Sequence, residues 1–311
     1  MTPKQRAIAA FEQRIPDHVP TFELEFQLTQ ALFGQDYLTQ RELDAAPSAD
    51  ARERLLQENA DLFARVAERL EYDIVPLQAI WREAHQVRMV HLLRERVGDT
   101  RMICAHGDST MGIPDGEHMV EVSIRLAEEA DAVHAEQRRN LAAMLEHCTV
   151  LVDAGVDVFI NCADYCFNHG PFLSPPMFAE FVTPYLTALH AGQRALGAYT
   201  IKHTDGNIMP ILDQLAASAP HALHSIDPMA GVDIAVVKRQ IGDRVALCGN
   251  VNCALMQTGT DEDVIASARY CLTHAKPGGG YFFCTSNVPF NGLPLERYLL
   301  ILDVWKEMRA Y

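Results

Sequence analysis

The sequence lacks long apolar runs. Its longest hydrophobic stretches have the length of a β-strand, whereas a helix that spans a bilayer needs about 20 apolar residues. Residues 1–14 (MTPKQRAIAAFEQR) show the pattern of an amphipathic helix and lack the apolar segment of a secretion signal. We therefore expect a soluble, cytoplasmic protein.

Basic residues are also scarce. The chain holds 26 Lys and Arg against 41 Asp and Glu, which gives a formal net charge of −15. A chain this acidic is repelled by nucleic acid and by anionic lipid headgroups. The charge balance therefore argues against nucleic acid and membrane partners, and it favours a small-molecule substrate.

Several short motifs are missing. The eight cysteines include no CxxC pair, which argues against a structural zinc knuckle, and in a chain of 311 residues without an export signal we expect free thiols. Cys162, Cys166 and His169 come nearest to a local metal-ligand spacing, but buried cysteines are common without a metal. No GxGxxG follows the first predicted strand, and no GxxxxGK[ST] occurs. A nucleotide-binding doubly wound sheet is therefore the less favoured alternative.

Hydrophobic periodicity predicts eight strands that alternate with helices. The strands are predicted at residues 19–26, 73–77, 101–106, 156–160, 199–201, 222–226, 244–248 and 281–284. The main helices are predicted at residues 4–14, 49–70, 84–97, 123–153, 174–196, 233–240, 261–275 and 295–309. This order predicts an α/β fold of the (β/α)8 TIM-barrel type. No linker divides the chain, so residues 1–311 are predicted to form one barrel domain with an N-terminal helical extension.

Residues 198–207 (AYTIKHTDGN) form the segment on which the functional prediction is centred. A short β-rich run ends in polar residues, then in glycine, and a helical pattern follows. His203 and Asp205 are two residues apart, so on an extended strand they point to the same side. They can share a metal or orient a proton-transfer partner. The alternative is that Asp205 caps the next helix and that His203 packs with one hydrogen bond.

The residues that follow the other predicted strands are polar and acidic. In a barrel these positions form the functional face. We expect Asp164 to act with His203 and Asp205 in catalysis. The predicted substrate-binding residues are Glu23, Glu25, His106, Asp227, Asn250 and Asn287.

This predicted face contains almost no cationic side chain. The exception is Lys202, whose parity points it away from His203. A site for a highly charged phosphate or polycarboxylate normally carries cationic donors. The pattern argues against such a substrate.

His203, Asp205 and Cys284 can form a three-ligand zinc site with an open position, which is the arrangement of catalytic zinc. The open position can take a substrate thiol or hydroxyl, whose pKa the metal lowers. The alternative is that Cys284 simply fills the barrel interior.

Three segments carry a resemblance to a known superfamily: KHTDGNIMPILDQL, HSIDPMAGVDIAVVKRQIGDRVALCGNVN and PGGGYFFCTSN. Together with NHGPFLSPPMFAEFVTPY they resemble the uroporphyrinogen decarboxylase superfamily over about residues 150–305. RIPDHVPTFELEF extends the resemblance loosely into the N-terminal half. The resemblance implies a (β/α)8 barrel, in agreement with the strand count.

The superfamily has two branches with different sites. The corrinoid-dependent methyltransferases carry a zinc site written His-x-Cys with a distant Cys, and the matching residues here are His203, Asp205 and Cys284, with Asp in the place of the first Cys. The decarboxylases are metal-free and hold a tetrapyrrole with acidic side chains, and their arginine-rich N-terminal motif is absent here.

The function that we predict is a zinc-assisted methyltransferase that acts with a corrinoid or a methylated small molecule. The expected cofactors are zinc and a corrinoid or tetrahydrofolate as methyl partner. The second hypothesis is a metal-free decarboxylase of the uroporphyrinogen type. The third is a barrel that binds a ligand or a corrinoid protein without turnover. A homodimer is compatible with each hypothesis.

Overall fold

The computed structural model describes residues 1–78 and 80–311. The strands are β1 (Ile74–Pro76), β2 (Met102–His106), β3 (Val158–Cys162), β4 (Cys166–Phe167), β5 (Gly170–Pro171), β6 (Tyr199–Thr204), β7 (Ala222–Ser225), β8 (Ala246–Cys248) and β9 (Tyr281–Phe282). The helices are α1 (Pro3–Phe11), α2 (Thr29–Phe33), α3 (Gln40–Ala45), α4 (Ala49–Arg69), α5 (Glu83–Val97), α6 (Met119–Glu128), α7 (Ala130–Ala154), α8 (Pro175–Phe181), α9 (Thr183–Ala195), α10 (Leu212–Ala217), α11 (Ile234–Ile241), α12 (Cys253–Thr258), α13 (Asp261–Ala275) and α14 (Leu295–Met308).

A parallel sheet forms the centre of the molecule. Within the described residues it has seven strands in the order β1-β2-β3-β6-β7-β8-β9, and β4 and β5 form a separate antiparallel ribbon. The sheet strands follow one another in chain order and helices connect them, as expected for repeated βα units. The predicted α/β class with a parallel sheet is confirmed. None of the helices in residues 1–78 and 80–311 has the length and apolarity to cross a membrane.

Residues 19–26, predicted as the first strand, differ from the prediction. They form no regular ladder, although Thr21 makes an isolated parallel bridge with Phe283 beside β9. The Thr21 carbonyl accepts from the Asp73 N–H at 2.8 Å beside β1, and the Pro20 carbonyl accepts from the Phe283 N–H at 2.9 Å. Thus a buried extended segment contacts both edges of the seven-stranded sheet, in place of the eighth regular strand of the predicted barrel.

The irregularity of this segment has a local cause. Pro20 has no N–H to donate to a ladder. The N–H of Thr21 donates to the side chain of Asp73 at 2.8 Å instead of to a strand carbonyl. Two successive donors are therefore missing from the pattern that a regular strand requires.

Two predicted long helices are each divided in the structure. The predicted helix at residues 123–153 is formed by α6 and α7, with the break at Glu129. The predicted helix at residues 174–196 is formed by α8 and α9, with the break at Val182. Pro184 follows two residues later, and its ring disfavours continued helical geometry before it.

Alternating side chains divide the core into two apolar layers. One layer lies between the sheet and the helices, and the second is inside the curved sheet, where Ile74, Ile160 and Ile201 contribute side chains from three strands. Helix α1 covers the amino-terminal end of this inner layer, and its Phe11 stacks on Tyr199 at the start of β6 with ring centroids 4.8 Å apart. The carboxyl ends of the strands are at the opposite end, where α/β enzymes bind their ligands.

A buried ion pair joins α1, the extended segment and β1. Arg6 is 8% exposed, and its guanidinium donates to Asp73 Oδ1 at 2.6 Å. Oδ2 of Asp73, which is fully buried, accepts from the Thr21 N–H. One carboxylate therefore satisfies the buried donors of two different segments.

We expect Asp73→Ala to lower the free energy of unfolding by about 2–3 kcal/mol, because it leaves the buried Thr21 N–H and Nη1 of Arg6 without their acceptor, while Asp17 still pairs with the guanidinium. Urea denaturation at pH 7 measures this change. Asp44→Ala, which breaks an exposed pair with Arg82, is the matched control and should change stability little. Equal effects of the two substitutions would contradict the structural role of Asp73.

Candidate active site

The end of β6 carries the central residues of the site. His203 shares the inward parity of Ile201 and is 5% exposed, and Asp205 follows the strand directly. Cys162 at the end of neighbouring β3 pairs in register with His203, so the loop after β3 brings Asp164 to the same place. The backbone N–H of Asp205 donates to Asp164 Oδ1 at 2.9 Å. The three predicted catalytic residues therefore come together at the carboxyl ends of two adjacent strands.

These three side chains are close enough to share a cation. His203 Nε2 is 3.8 Å from Asp164 Oδ1 and 3.8 Å from Asp205 Oδ1. One ligand atom from each residue lies within 4.8 Å of the other two. Within residues 1–78 and 80–311, this is the group of His, Cys, Asp or Glu side chains whose ligand atoms are close enough to hold one metal ion. Carboxylate oxygen and imidazole nitrogen are both ligands for divalent transition metals.

Two neighbouring side chains hold the carboxylate of Asp205. Ser225 Oγ donates to Oδ1 at 2.6 Å, and Asn287 Nδ2 donates to Oδ2 at 2.5 Å. Burial, with the charges of Asp164 and Asp227, raises the pKa of Asp205 to about 6, against the lowering effect of its two donors. A cation at this place would favour the ionised carboxylate.

The imidazole of His203 is neutral at pH 7. Burial lowers its pKa to about 4, although the charge of Asp164 opposes the shift. A neutral imidazole is the form that binds a metal. Its Nδ1 lies 2.8 Å from Nδ1 of His224 on neighbouring β7, so Nε2 is the nitrogen that faces the carboxylates.

A cleft of about 370 Å³ opens beside Asp205. Asp227 and Asn287, both predicted substrate-binding residues, line it together with Asp205. Asp227 also accepts from the backbone N–H of Gly206 at 3.2 Å, which ties it to the end of β6. The remaining lining residues are Met229, Cys253, Ala254, Gln257, Ser286, Val288 and Phe290.

Glu25 and His106, two more predicted substrate-binding residues, contact each other. Glu25 Oε1 lies 3.8 Å from His106 Nε2, and each side chain is 26% exposed. The indole of Trp81, which is 62% exposed, has its ring centroid 6.3 Å from that of His106. Burial lowers the pKa of His106, against the opposing charges of Glu25 and Asp108. His106 ends β2, so this group lies at the same end of the sheet as His203.

The group of side chains in the structure differs from the predicted set of zinc ligands at Cys284. Its thiol is fully buried in the inner apolar layer with Phe22 and Cys248, and the atom it contacts is the carbonyl oxygen of Phe282, 4.0 Å away. Burial raises the pKa of Cys284 well above its ordinary value, which disfavours the thiolate that a metal needs. Asp164 takes the third place in the group instead.

Two predicted substrate-binding residues have other partners. Glu23 is 1% exposed, and Thr285 Oγ1 donates to its carboxylate at 2.5 Å. Asn250 is 5% exposed and donates to the Ile226 carbonyl at 2.7 Å, while Cys271 Sγ is 3.2 Å from its Oδ1. Polar atoms of both side chains are engaged by the protein itself, and their assignment to substrate binding stays a prediction.

Lys202 points away from the group, as its parity predicted. Its ammonium donates to Asp108 Oδ2 at 2.8 Å and to the Ala163 carbonyl at 3.1 Å, and it lies 4.1 Å from the ring centre of Tyr165. Burial lowers the pKa of Lys202, but the charge and hydrogen bond of Asp108 outweigh this and raise it. Lys202 therefore connects the loop after β2 to the loop after β3, on the side of the sheet away from His203.

All eight cysteines are free thiols, as predicted. Cys162, Cys166 and His169 do not form a metal-capable group within residues 1–78 and 80–311. The sequence analysis missed His224 and Ser225. Both follow Ala222 in a predicted strand. Ala222 faces the inner layer, and because side chains alternate along a strand, His224 faces the same side. This alternation was the sequence signal that could have identified His224.

A buried imidazole between carboxylates, at the carboxyl ends of a parallel sheet, is the kind of site that α/β enzymes present. The sequence profile of the uroporphyrinogen decarboxylase (URO-D) family matches residues 115–305. The chain therefore belongs to the URO-D family, and the predicted superfamily is confirmed.

The proteins similar to this chain include the following relative and two solved structures. The relative is a uroporphyrinogen decarboxylase from Thioalkalivibrio sulfidiphilus, 27% identical over 173 residues, and the match spans 52% of this chain and 46% of that protein. A methyltransferase from Methanosarcina mazei has a TM-score of 0.74 at 18% identity over 99% of each chain. A B12-independent methionine synthase from Shewanella sp. W3-18-1 has a TM-score of 0.53 at 13% identity, over 84% of this chain and 89% of that one. At these identities the two structures establish the fold alone.

Buried Glu23 makes stability depend on pH. Burial raises its pKa from 4.5 to about 8, against the hydrogen bonds from Thr285. In that range the folded chain holds a proton that the unfolded chain releases, so this group lowers stability as pH rises from about 4.5 to about 8. We expect Glu23→Gln to become more stable relative to the wild type over that range, by a few kcal/mol in order of magnitude.

Denaturation midpoints at pH 5, 6, 7 and 8 test this prediction. Glu25→Gln, the same substitution at a partly exposed neighbour, is the matched control. A difference between Glu23→Gln and the wild type that stays constant with pH would contradict the assignment.

Proposed function

We propose that this protein is a metal-assisted methyltransferase. The observation that carries the proposal is the convergence of Asp164, His203 and Asp205 beside an open cleft at the carboxyl ends of the strands. The URO-D family and the fold shared with a named methyltransferase support the choice of reaction class. The zinc, and a corrinoid or tetrahydrofolate as methyl partner, are parts of this proposal.

The donor set fits a divalent cation. One donor atom of the correct type from each of the three residues lies within 4.8 Å of the other two, and catalytic zinc takes three protein ligands and keeps a further position for substrate. The set contains two carboxylates where the methyltransferase branch has two thiolates, so it suits zinc but selects less strongly against manganese or iron. When bound, the cation would supply Lewis-acid chemistry and lower the pKa of a thiol or hydroxyl acceptor.

Three features of the protein's own residues favour the binding of a cation by this group. Burial lowers the pKa of His203 to about 4, which favours the neutral ring that a metal ligand requires. Ser225 and Asn287 fix the orientation of the Asp205 carboxylate by donating to both of its oxygens. Asp164, which is 51% exposed at its side chain, lies at the solvent side of the group.

The substrate would occupy the cleft beside the group. Asp227 and Asn287 line that cleft and can receive and donate hydrogen bonds. Glu25 and His106 form a second polar pair at the same end of the sheet. We assign these four residues to substrate binding and orientation.

We expect the protein purified without chelator to bind about one equivalent of zinc, and His203→Ala and Asp164→Ala to weaken zinc binding at least ~10-fold, because each removes one of three ligands. Calorimetric titration of the metal-free protein with zinc measures the affinity. Methyl transfer from methylcobalamin or methyltetrahydrofolate to thiol and alcohol acceptors should be lost in both variants.

Cys284→Ala is the matched control, because this thiol is buried in the inner apolar layer with Phe22 and Cys248. It should bind zinc like the wild type. Loss of zinc in Cys284→Ala would restore the ligand set predicted from the sequence. A wild-type protein without affinity for zinc, manganese or iron would contradict the proposed function.

A metal-free decarboxylase of the uroporphyrinogen type is the second candidate. The relative that is 27% identical carries that name, and carboxylates of the site can stabilise a protonated pyrrole-type intermediate. Asp164 and Asp205 are the residues that would do so. Burial raises the pKa of Asp205 to about 6, so near neutral pH it can act in either protonation state.

Anaerobic incubation with uroporphyrinogen separates the two candidates. The decarboxylase candidate requires products with fewer carboxylates, with a rate that chelators leave unchanged and that Asp205→Asn lowers at least ~10-fold. An unchanged carboxylate count in the presence of active, folded protein would reject this candidate.

A further inference from the structure

Two histidines face each other inside the sheet behind the proposed metal site. His203 on β6 and His224 on β7 pair in register. Their Nδ1 atoms are 2.8 Å apart, and His224 is fully buried. Nε2 of His224 has no hydrogen-bond partner among the described residues. The imidazole that we assign as a ligand is therefore the hydrogen-bond partner of Nδ1 of His224.

The hydrogen bond between two Nδ1 atoms restricts the tautomers of both rings. At 2.8 Å the two Nδ1 atoms share one proton, so one Nδ1 donates and the other accepts. If His224 donates, the proton of His203 sits on Nε2 and points at Asp164 and Asp205. If His203 donates, its Nε2 has a free lone pair, and the proton of His224 sits on Nε2. Only the second arrangement leaves His203 able to bind a cation.

We propose that His224 is a positioning residue, which accepts the Nδ1 proton of His203 and so presents Nε2 to a divalent cation. This inference rests on the proposed function. His224 touches neither the cleft nor the carboxylates and acts through His203 alone. Partners of this kind, which hold the second nitrogen of a ligating histidine, typically change metal affinity by about 10–100-fold when removed.

The competing explanation is that His224 only fills the core. Its ring centroid is 6.3 Å from that of Phe22, and Ala222 and Cys248 belong to the same layer. A core filler needs volume and no acceptor atom. The two explanations therefore differ in their predictions for substitutions that keep either volume or the acceptor.

We propose to compare His224→Leu with His224→Asn. Leu keeps apolar volume and removes the acceptor, whereas the Asn side-chain oxygen can take the place of Nδ1. We expect Leu to weaken zinc binding by about 10–100-fold and Asn to stay within a few-fold of the wild type. Calorimetry with zinc alone measures the affinities, and circular dichroism verifies that each variant is folded.

Long-range proton–nitrogen NMR of the zinc-loaded wild type gives an independent readout. It should show His203 protonated at Nδ1 and His224 protonated at Nε2. The reverse tautomers would overturn the inference even if the Leu variant fails to fold.

The outcomes also separate this inference from the proposed function. Zinc binding by the wild type and by His224→Leu with equal affinity would overturn the role of His224 and leave the metal site intact. A wild type that binds no divalent cation would overturn both. Wild-type affinity in Leu with a loss in Asn would show that volume matters rather than the acceptor. Equal losses in Leu and Asn would show that restoring the acceptor is not sufficient. Either result would overturn the inference.

Discussion

The removal of His203 from water is the constraint on which the site depends. An imidazole on the inner face of the sheet is neutral because burial outweighs the attraction of the carboxylates beside it. Asp164, Asp205 and Asp227 crowd the same end of the sheet with negative charge that the neutral ring does not compensate. Ser225 and Asn287 relieve only part of this crowding. The geometry is therefore suited to receive positive charge from outside the protein.

Much of the fold follows from the spacing of apolar residues. Seven predicted strands appear in the sheet in their predicted order, because fully buried parallel strands give short apolar runs between helical patterns. Residues 19–26 showed the same alternation, but alternation reports burial and not hydrogen bonding. The loss of the N–H at Pro20 and the engagement of Thr21 by Asp73 depend on local chemistry and on a residue far along the chain.

The candidate site was predictable in part for the same reason. His203 and Asp205 follow from the two-residue period of a strand, and Asp164 follows from its place after a neighbouring strand. Cys284 shows the limit of this reasoning, since inward parity does not tell whether a side chain reaches the mouth or ends in the apolar layer. The contact between His203 and His224 depends on the register of β6 and β7, which a single sequence does not state.

The extended segment at residues 19–26 has a mechanical consequence. It meets both edges of the sheet through a few backbone hydrogen bonds, and it leads directly to Glu25 at the mouth. Between β1 and β9 the sheet is therefore connected by this segment and not by a regular strand ladder. A shift of this segment would move Glu25 relative to His106, His203 and Asp205, which lie at the ends of the regular strands β2 and β6.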